Sequence, residues 1–263
     1  IIITLKLKEY DRLEEIVHVC EKSGVHTEFV PDYNDIISTK PYTVDFLGLP
    51  LIHIRHVPLM EAGNAFIKRA MDIVGSLLCI VLFSPIMLAA AIAVKVSSPG
   101  PLIFKQERVG LHNKNFWMYK FRSMCVGAEK GGVYSDDKDT RISRVGMIIR
   151  KTSLDELPQL WNVLKGNCSL IGFRSPLTYH PWPWEEYTEE QKKMFELRPG
   201  ITGWAQVNGR KTVEWNNRIA MNVWYAENCS FLLDVKILFM TVFKVLRNAD
   251  NENVGETVKN EDI

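Results

Sequence analysis

The sequence lacks several features that mark common functional classes. It has 32 basic and 31 acidic residues, so the formal net charge is only +1 and bulk charge gives no support to nucleic-acid binding. Its five cysteines are scattered and form no CxxC pair, which argues against a disulfide framework or a zinc site and favours a reducing compartment. The first sixty residues contain no glycine-rich phosphate loop, so a nucleotide site of that type is unsupported there.

The chain also lacks an initiator methionine and a secretory signal, and it opens on apolar residues typical of a strand. We therefore expect a fragment of a longer protein. Residues 11–22 have a helical stripe ended by Gly24, and residues 25–30 and 49–57 have strand patterns. These elements predict that residues 1–62 are the C-terminal part of a Rossmann-like α/β domain.

Residues 73–94 carry no charge and consist mostly of Leu, Ile, Val and Ala. As one helix they would extend about 33 Å, the thickness of a bilayer core. A fully buried helix of a soluble protein is the alternative for such a run.

Basic residues flank this run on both sides, with Lys68 and Arg69 before it and Lys95, Lys105 and Arg108 after it. Positive charge is typical of cytoplasmic ends, so a spanning helix would place one of these ends on the wrong side. Ser84-Pro85 lies at the middle, where proline removes a backbone donor and kinks a helix. We therefore predict a re-entrant membrane helix over about residues 68–96 that bends at Ser84-Pro85.

The remainder, within a catalytic domain of residues 63–263, is polar and mixed. Its patterns predict a strand pair at 103–104 and 116–121 and helices at 153–164, 189–197 and 216–228. The apolar segment 231–246 fits either an interfacial helix or a packed core helix. The predicted fold class is α+β: the re-entrant membrane helix plus a mostly helical cytoplasmic catalytic domain with a small sheet, preceded by the partial Rossmann-like segment.

Residues 150–162 hold the densest cluster of chemically useful side chains. Leu154, Leu157 and Leu160 follow a helical period, and Ser153-x-x-Glu156 has the form of a capping box. One interpretation is that Asp155 and Glu156 merely cap a helix.

The second interpretation is chemical. A carboxylate at a helix start lies near backbone N–H groups, which would hold Asp155 ionised as a carboxylate nucleophile requires. A carboxylate can also hold Mg²⁺ beside substrate phosphates. Phosphoryl chemistry needs cations, and the surrounding sequence supplies Lys120, Arg122, Arg141, Arg144, Arg150, Arg174 and Arg198. A solvated surface charge is the alternative for each of them.

Residues 66–250 resemble the bacterial sugar transferase family, the monotopic phosphoglycosyl transferases. The resemblance rests on five motifs in order: Lys68-Arg69-x-x-Asp72, Leu82-Phe83-Ser84-Pro85, Tyr119-Lys120-Phe121-Arg122-Ser123-Met124, residues 152–167, and residues 198–210 from Arg-Pro-Gly to Asn-Gly-Arg.

The resemblance implies an enzyme of the bacterial inner membrane with its catalytic domain on the cytoplasmic face. The carboxylate of Asp155 would attack a UDP-sugar, release the nucleoside monophosphate and carry the sugar phosphate until undecaprenyl (polyprenyl) phosphate accepts it. Glu156 would assist the second step, and Mg²⁺ would bind near Asp155. Such a transfer initiates exopolysaccharide, capsule or O-antigen synthesis.

The resemblance also assigns roles to other residues. Contacts with substrate phosphate or nucleotide are predicted for Lys120, Arg122, Arg150, Arg174 and Arg198. The membrane helix and its break are predicted to include Lys68, Arg69, Asp72, Ser84 and Pro85. The N-terminal segment resembles the Rossmann-like domain of long members, which favours a hexose over an N-acetylated amino sugar. The resemblance leaves open whether the protein forms a homo-oligomer.

The chain departs from the family pattern at two places. The usual Pro-Arg-Pro is Phe173-Arg174-Ser175 here, and the usual Asp-Val-Trp-Tyr begins with Asn222. Two alternatives follow: a catalytically inactive member acting as a membrane scaffold, and a binding or sensor protein whose apolar segment truly spans the membrane.

Overall fold

The computed structural model describes residues 1–32, 42–53, 57–128, 140–179, 181–209 and 215–247. Contacts divide the chain into two compact units, Ile1–His56 and Val57–Ile263. The division falls before residue 57, whereas the sequence patterns place the boundary after residue 62.

The first unit begins with a parallel strand pair joined through a helix. Strand β1 (Ile2–Leu5) pairs with β2 (Glu28–Pro31), and the connection contains a 3-10 turn and helix α1 (Leu13–Ser23). Gly24 ends α1 in the left-handed conformation at φ +67°, as expected of a glycine after a helix. The predicted strand, helix and strand are therefore all present.

A hairpin completes what is described of this unit. Strands β3 (Tyr42–Phe46) and β4 (Leu49–His53) pair antiparallel through Leu47-Gly48, whose φ values of 56° and 84° suit a two-residue turn. The strand predicted over residues 49–57 ends at His53, and residues 54–56 lie outside the described part. Because the described strands form two separate pairs, the Rossmann-like assignment stays a prediction.

The second unit opens with helix α2 (Ala62–Ser97), whose 36 residues correspond to about 54 Å. The helix continues through Pro85, which cannot donate to the carbonyl of Val81 four residues earlier. The hydroxyl of Ser84 donates to this carbonyl at 2.8 Å. Ser84 thus satisfies the acceptor that Pro85 leaves.

Helix α2 has two different faces. The inner face buries Lys68, Asp72 and Ser76 near one end and Ala90 and Val94 near the other. The outer face is apolar and exposed, with Val74, Leu77, Leu78, Val81, Leu82, Ile86, Leu88 and Ile92. The helix is long and apolar enough to cross a membrane, yet only 11% of its most apolar stretch is buried. A buried helix of a soluble core is therefore the wrong description.

The rest of the described part of the unit packs around a main apolar core and a smaller second cluster. Strands β5 (Ile103–Val109) and β6 (Asn115–Phe121) form an antiparallel hairpin, which confirms and lengthens the predicted pair. Two short strands, Ser169–Ile171 and Gly200–Thr202, pair in parallel. The remaining elements are α3 (Arg144–Lys151), α4 (Gln159–Lys165), β7 (Ser169–Ile171), α5 (Glu189–Lys192), β8 (Gly200–Thr202), α6 (Trp204–Gly209), α7 (Trp215–Asn228) and α8 (Phe231–Arg247).

The core lies between the hairpin, α4, β7 and the last two helices. Val163, Phe173, Ala226 and Ile237 are fully buried there. Helix α8 buries Asp234 and Ile237 but exposes Leu232, Phe239, Val242 and Phe243. The segment thus has a packed face and an uncovered apolar face.

The predicted helix over 153–164 is interrupted. Ser153 takes the left-handed conformation at φ 57° and its side chain makes no capping bond, so the capping box is wrong. A 3-10 turn (Leu154–Glu156) follows, and α4 begins at Gln159 after Pro158. The two carboxylates therefore lie on a short turn between two helices.

Candidate active site

A cavity of about 580 Å³ lies between the β5–β6 hairpin, α3 and the segment around Arg174. Asp155 is its one acidic lining residue within the described part of the chain. Six lining residues are basic: Lys105, Arg108, Lys120, Arg122, Arg150 and Arg174. The formal balance of six positive charges against one negative charge suits a ligand with several phosphate charges.

The turn that carries Asp155 gives this carboxyl group its exposure to the cavity. The left-handed Ser153 reverses the chain after α3, and Asp155 keeps only 9% of its surface exposed. Burial raises the pKa of Asp155 to about 6, the neighbouring Lys120 charge lowers it, and Glu156 raises it. At neutral pH the carboxylate remains mostly ionised, because the charges of Lys120 and Arg150 and a backbone hydrogen bond lower its pKa against the effect of burial.

Lys120 connects the two carboxylates of the turn. Its ammonium donates to Glu156 Oε1 at 2.7 Å, and both side chains are largely buried. Lys120 projects from β6 beside the 3-10 turn, and Asn162 fixes this arrangement. The Asn162 amide accepts from the Tyr119 backbone N–H at 3.0 Å and donates to the Trp117 carbonyl at 2.7 Å.

Helix α3 brings Arg150 to the same cavity. Ser143 caps the helix by accepting from the Gly146 N–H at 2.8 Å. A Cβ at Gly146 would lie 1.8 Å from the Ser123 carbonyl oxygen, so only glycine permits this approach. Arg150 follows one turn later and lowers the pKa of Asp155.

Arg122 lines the cavity and also fastens the turn that follows α2. Its guanidinium donates to the Ser98 carbonyl at 2.6 Å and to the Ser98 hydroxyl at 2.9 Å. The guanidinium packs against Gly100, which has φ +124° and leaves no room for a Cβ. The side chain predicted to bind phosphate is therefore largely committed to this turn.

The departure around Arg174 has a structural explanation. Arg174 and Ser175 both line the cavity, whereas Phe173 turns inward. Phe173 is fully buried and contacts the Phe195 ring edge-on, and the Ser175 hydroxyl donates to the Val109 carbonyl at 2.5 Å. These contacts hold the segment in place of the family's two prolines. The second departure, Asn222, is buried in α7.

Arg198 lies outside the lining of this cavity. It donates to the Gly166 carbonyl at 2.9 Å, beyond the end of α4. The nearby glycines allow two backbones to touch, since a Cβ at Gly200 would lie 2.0 Å from the Gly172 nitrogen. The structure thus separates Arg198 from the other predicted substrate contacts.

The basic residues near the start of α2 are paired within the second unit. Lys68 is buried and pairs with Asp234 at 2.6 Å, and Tyr225 donates its hydroxyl to the same carboxylate at 2.5 Å. Arg69 donates to the Val163 and Leu164 carbonyls at the end of α4. Both basic residues therefore dock α2 onto the rest of the second unit.

Asp72 continues this attachment one turn further along α2. Its Oδ1 accepts from the Ser169 hydroxyl at 2.8 Å and from the Leu170 N–H at 3.0 Å. Gly75 packs on β7 so closely that a Cβ would lie 2.6 Å from the Leu170 side chain.

Sequence reasoning missed several residues of the site. Lys105 and Arg108 were interpreted only as flanks of the apolar run, although they line the cavity. Asn162 and Asp234 were not singled out. Each is a polar residue in an apolar helical stretch, and that pattern was the signal available.

The described residues contain no group of three or more His, Cys, Asp or Glu side chains able to hold a metal ion. The described side chains therefore do not fit a site in which the protein alone supplies all ligands of the metal ion. They do fit Mg²⁺ bound by one carboxylate together with substrate phosphates, the usual arrangement for this ion.

Comparison with known proteins gives a consistent result. The sequence pattern of a family described as bacterial sugar transferase matches residues 63–248. The chain is 45% identical, over 68% of its length and 87% of the relative, to the uncharacterized sugar transferase EpsL of Bacillus subtilis (strain 168).

Two further relatives are longer than this chain. One is the UDP-N-acetylgalactosamine-undecaprenyl-phosphate N-acetylgalactosaminephosphotransferase of Aeromonas hydrophila, 45% identical over 69% of this chain and 44% of the relative. The other is the UDP-glucose:undecaprenyl-phosphate glucose-1-phosphate transferase of Escherichia coli (strain K12), 36% identical over 92% of this chain and 53% of the relative. The chain therefore spans about half the length of these two relatives.

Proposed function

The chain belongs to the bacterial sugar transferase family, and we propose that it transfers a sugar 1-phosphate from a UDP-sugar to undecaprenyl phosphate. The observation that carries this proposal is the position of Asp155, a buried carboxylate facing a cavity lined by six basic side chains. A nucleophile for phosphorus needs a negative oxygen, and its anionic substrate needs surrounding cations. The cavity supplies both.

The first step is a displacement at phosphorus. An Asp155 oxygen forms a bond to the β-phosphorus of the UDP-sugar while the bond from this phosphorus to the bridging oxygen breaks. UMP leaves with the bonding electron pair, and the sugar phosphate remains on the carboxylate as an acyl phosphate. Lys120, Arg150 and Arg174 stabilise the charge that develops on the phosphoryl oxygens and on the leaving group.

The second step returns the enzyme to its starting state. A phosphate oxygen of undecaprenyl phosphate attacks the same phosphorus, and the bond to Asp155 breaks, which gives the undecaprenyl diphosphate sugar. Glu156 assists by holding Lys120 in position through their 2.7 Å contact. Asp155 would bind Mg²⁺ together with the substrate diphosphate, and the ion would neutralise part of the phosphate charge.

The attachment of α2 supports a re-entrant arrangement at the cytoplasmic face of the inner membrane. Residues near both ends of the helix pack on the same folded unit: Lys68 contacts Asp234, and Val94 packs with Phe121 and Ile149. A helix that spans the bilayer cannot keep both ends against one domain on one side. The exposed apolar face between these contacts would enter the lipid.

The donor we favour is a UDP-hexose. The relative named for glucose 1-phosphate aligns with 92% of this chain, whereas the relative named for N-acetylgalactosamine aligns with 69%. A panel of UDP-sugars, with UMP release as the signal, tests this choice.

The covalent step is tested by isotope exchange. With Mg²⁺ and without lipid acceptor, labelled UMP should enter the UDP-sugar pool, because the acyl phosphate reforms the donor. Asp155→Asn should abolish the exchange, and the intact mass of the wild-type protein should increase by one sugar phosphate. Transfer to lipid without any exchange would contradict a covalent intermediate, and absence of both reactions across the donor panel would favour the inactive scaffold.

A further inference from the structure

Asn162 joins helix α4 to the outer edge of strand β6. The strand pairs with β5 along one edge, and within the described part of the chain no strand pairs with its other edge. The backbone groups of Trp117 and Tyr119 point to the same side, because these residues alternate along the strand. The Asn162 amide accepts from the Tyr119 N–H at 3.0 Å and donates to the Trp117 carbonyl at 2.7 Å. One side chain thus takes the place of a neighbouring strand at this point.

The contact is buried and held from both sides. Asn162 is only 1% exposed, and its own backbone carbonyl accepts from the N–H groups of Asn167 and Cys168 beyond the end of α4. Loss of the amide would leave two backbone groups of β6 without this partner in a buried place. The position of β6 against α4 therefore depends on this residue.

The strand so held carries Lys120. Side chains alternate along a strand, so Lys120 shares a face with Phe116 and Met118. Both of these are buried in the apolar core. Lys120 continues this face to the 3-10 turn, where its ammonium lies 2.7 Å from Glu156 Oε1. A shift of the strand would move this ammonium.

The catalytic turn and Asn162 belong to one continuous segment. The turn ends at Glu156, and α4 begins at Gln159. The segment contacts β6 twice, through the ion pair of Glu156 and through the amide of Asn162. We propose that Asn162 is a positioning residue of the transfer reaction, because its amide sets where the Lys120 ammonium lies relative to the Asp155 carboxylate. This inference rests on the proposed function, in which Lys120 stabilises charge on the phosphoryl oxygens.

Single-turnover release of UMP tests whether Asn162 acts through Lys120. Asn162→Ala should lower the maximal rate about tenfold and change the half-saturating concentration of UDP-sugar less than about twofold, because a misplaced cation stabilises the transition state less. In a Lys120→Met background the same change should lower the rate by no more than about twofold, since no ammonium is left to position.

Two further variants separate positioning from stability. Asn162→Thr keeps the volume of the side chain and adds no charge, but one hydroxyl cannot bond both backbone groups, so its rate should match that of Asn162→Ala. It supplies the comparison if Asn162→Ala does not fold. Thr202→Val is the control: it removes the hydrogen bond to Thr241, outside the cavity lining, and should lower the thermal midpoint while leaving the rate unchanged.

A second measurement reports the position of Lys120 without any turnover. The Lys120 side chain is 18% exposed and paired with Glu156, so a lysine-directed acylating reagent should modify it slowly in the wild type. Both Asn162 variants should be modified at Lys120 several-fold faster, as measured by peptide mass spectrometry. The exposed Lys114 should react equally in all of these proteins, and Thr202→Val should resemble the wild type.

Three results would overturn the proposal. One is a wild-type rate in a folded Asn162 variant, and another is the same loss of rate in the wild-type and Lys120→Met backgrounds. The third is equal modification of Lys120 in the wild type and both Asn162 variants. A wild-type protein that releases no UMP from any UDP-sugar would instead contradict the proposed function, and the labelling would still decide the placement of Lys120.

Discussion

Lys120 faces both carboxylates of the catalytic turn: its ammonium lies 2.7 Å from Glu156 Oε1, and its charge lowers the pKa of Asp155. The two acids are not equivalent. Asp155 lines the cavity and keeps a pKa of about 6, while Glu156 is engaged in an ion pair. This asymmetry supports Asp155 as the nucleophile and Glu156 as the residue that positions Lys120.

The formation of the acyl phosphate should depend on pH through Asp155. Because the carboxylate is the nucleophile and its pKa is raised to about 6, the rate should fall about tenfold per pH unit well below that value and level off above it. Single-turnover release of UMP measures this profile. Glu156→Gln should shift the midpoint to lower pH, since the Glu156 charge raises the pKa of Asp155, and a profile with no inflection in the acidic range would contradict the assignment.

Asp155 should also affect stability in a pH-dependent way. Its folded pKa of about 6 lies above the ordinary 3.8, so the folded state binds more protons between these values. Stability contributed by this group is therefore greatest below the unfolded pKa and declines as pH rises through the folded pKa. The thermal midpoint of Asp155→Asn relative to wild type should be more favourable near neutral pH than in acid, and the reverse order would contradict a buried carboxylate.

Replacing Lys120 with methionine should slow the first step by roughly 100-fold, because a preorganised cation beside the phosphoryl group is lost. The same variant should raise the pH midpoint, since the Lys120 charge lowers the pKa of Asp155. Lys165→Met is the matched control: this exposed lysine bonds to Tyr119 and lies outside the cavity lining. Equal losses in both variants would indicate a nonspecific effect of charge.

The buried pair of Lys68 and Asp234 should be important for stability. Lys68→Met leaves a buried carboxylate with only the Tyr225 hydroxyl, which should lower the free energy of unfolding by about 3–5 kcal/mol. Combining Lys68→Met with Asp234→Leu and Tyr225→Phe removes all three polar groups and should restore most of the loss. Thermal unfolding in detergent measures both, and a single variant as stable as the wild type would contradict the attachment of α2 described above.

The re-entrant arrangement predicts that both ends of α2 face the same side of the membrane. Cysteines introduced one at a time at Phe66 and Ser97, in a background with the accessible Cys79 and Cys125 changed to serine, should react with a membrane-impermeant maleimide in vesicles of the same orientation. A cysteine at the exposed Glu190 reports the side of the catalytic unit. Labelling of positions 66 and 97 from opposite sides would establish a spanning helix.

Much of the second unit could be predicted from periodicity and motifs. The hairpin, the apolar helix and the two C-terminal helices have long regular patterns, which sequence reasoning handles well. The turn at Ser153 could not be predicted from the sequence, because the left-handed conformation of this serine depends on how α3 and α4 pack. The capping-box pattern therefore misled, although Asp155, which lies within it, does line the cavity.

The polar contacts were harder to predict than the elements. Lys68, Arg69 and Asp72 have the spacing of a membrane flank, and only tertiary contacts show that they bind Asp234, the end of α4 and β7. Arg198 lies near glycines just as Arg174 does, yet one donates to the Gly166 carbonyl and the other lines the cavity. Local sequence cannot separate two such arginines, because their environments come from distant segments.

Arg122 joins the end of helix α2 to the wall of the candidate active site. The same guanidinium lines the cavity and donates two hydrogen bonds to Ser98, the residue at which α2 ends. The guanidinium packs directly against Gly100, so it has little room to move independently. A tilt of α2 would therefore shift this part of the cavity wall. If the apolar face of α2 enters the lipid as proposed, a change in bilayer thickness would move Ser98 and with it the Arg122 guanidinium in the cavity wall.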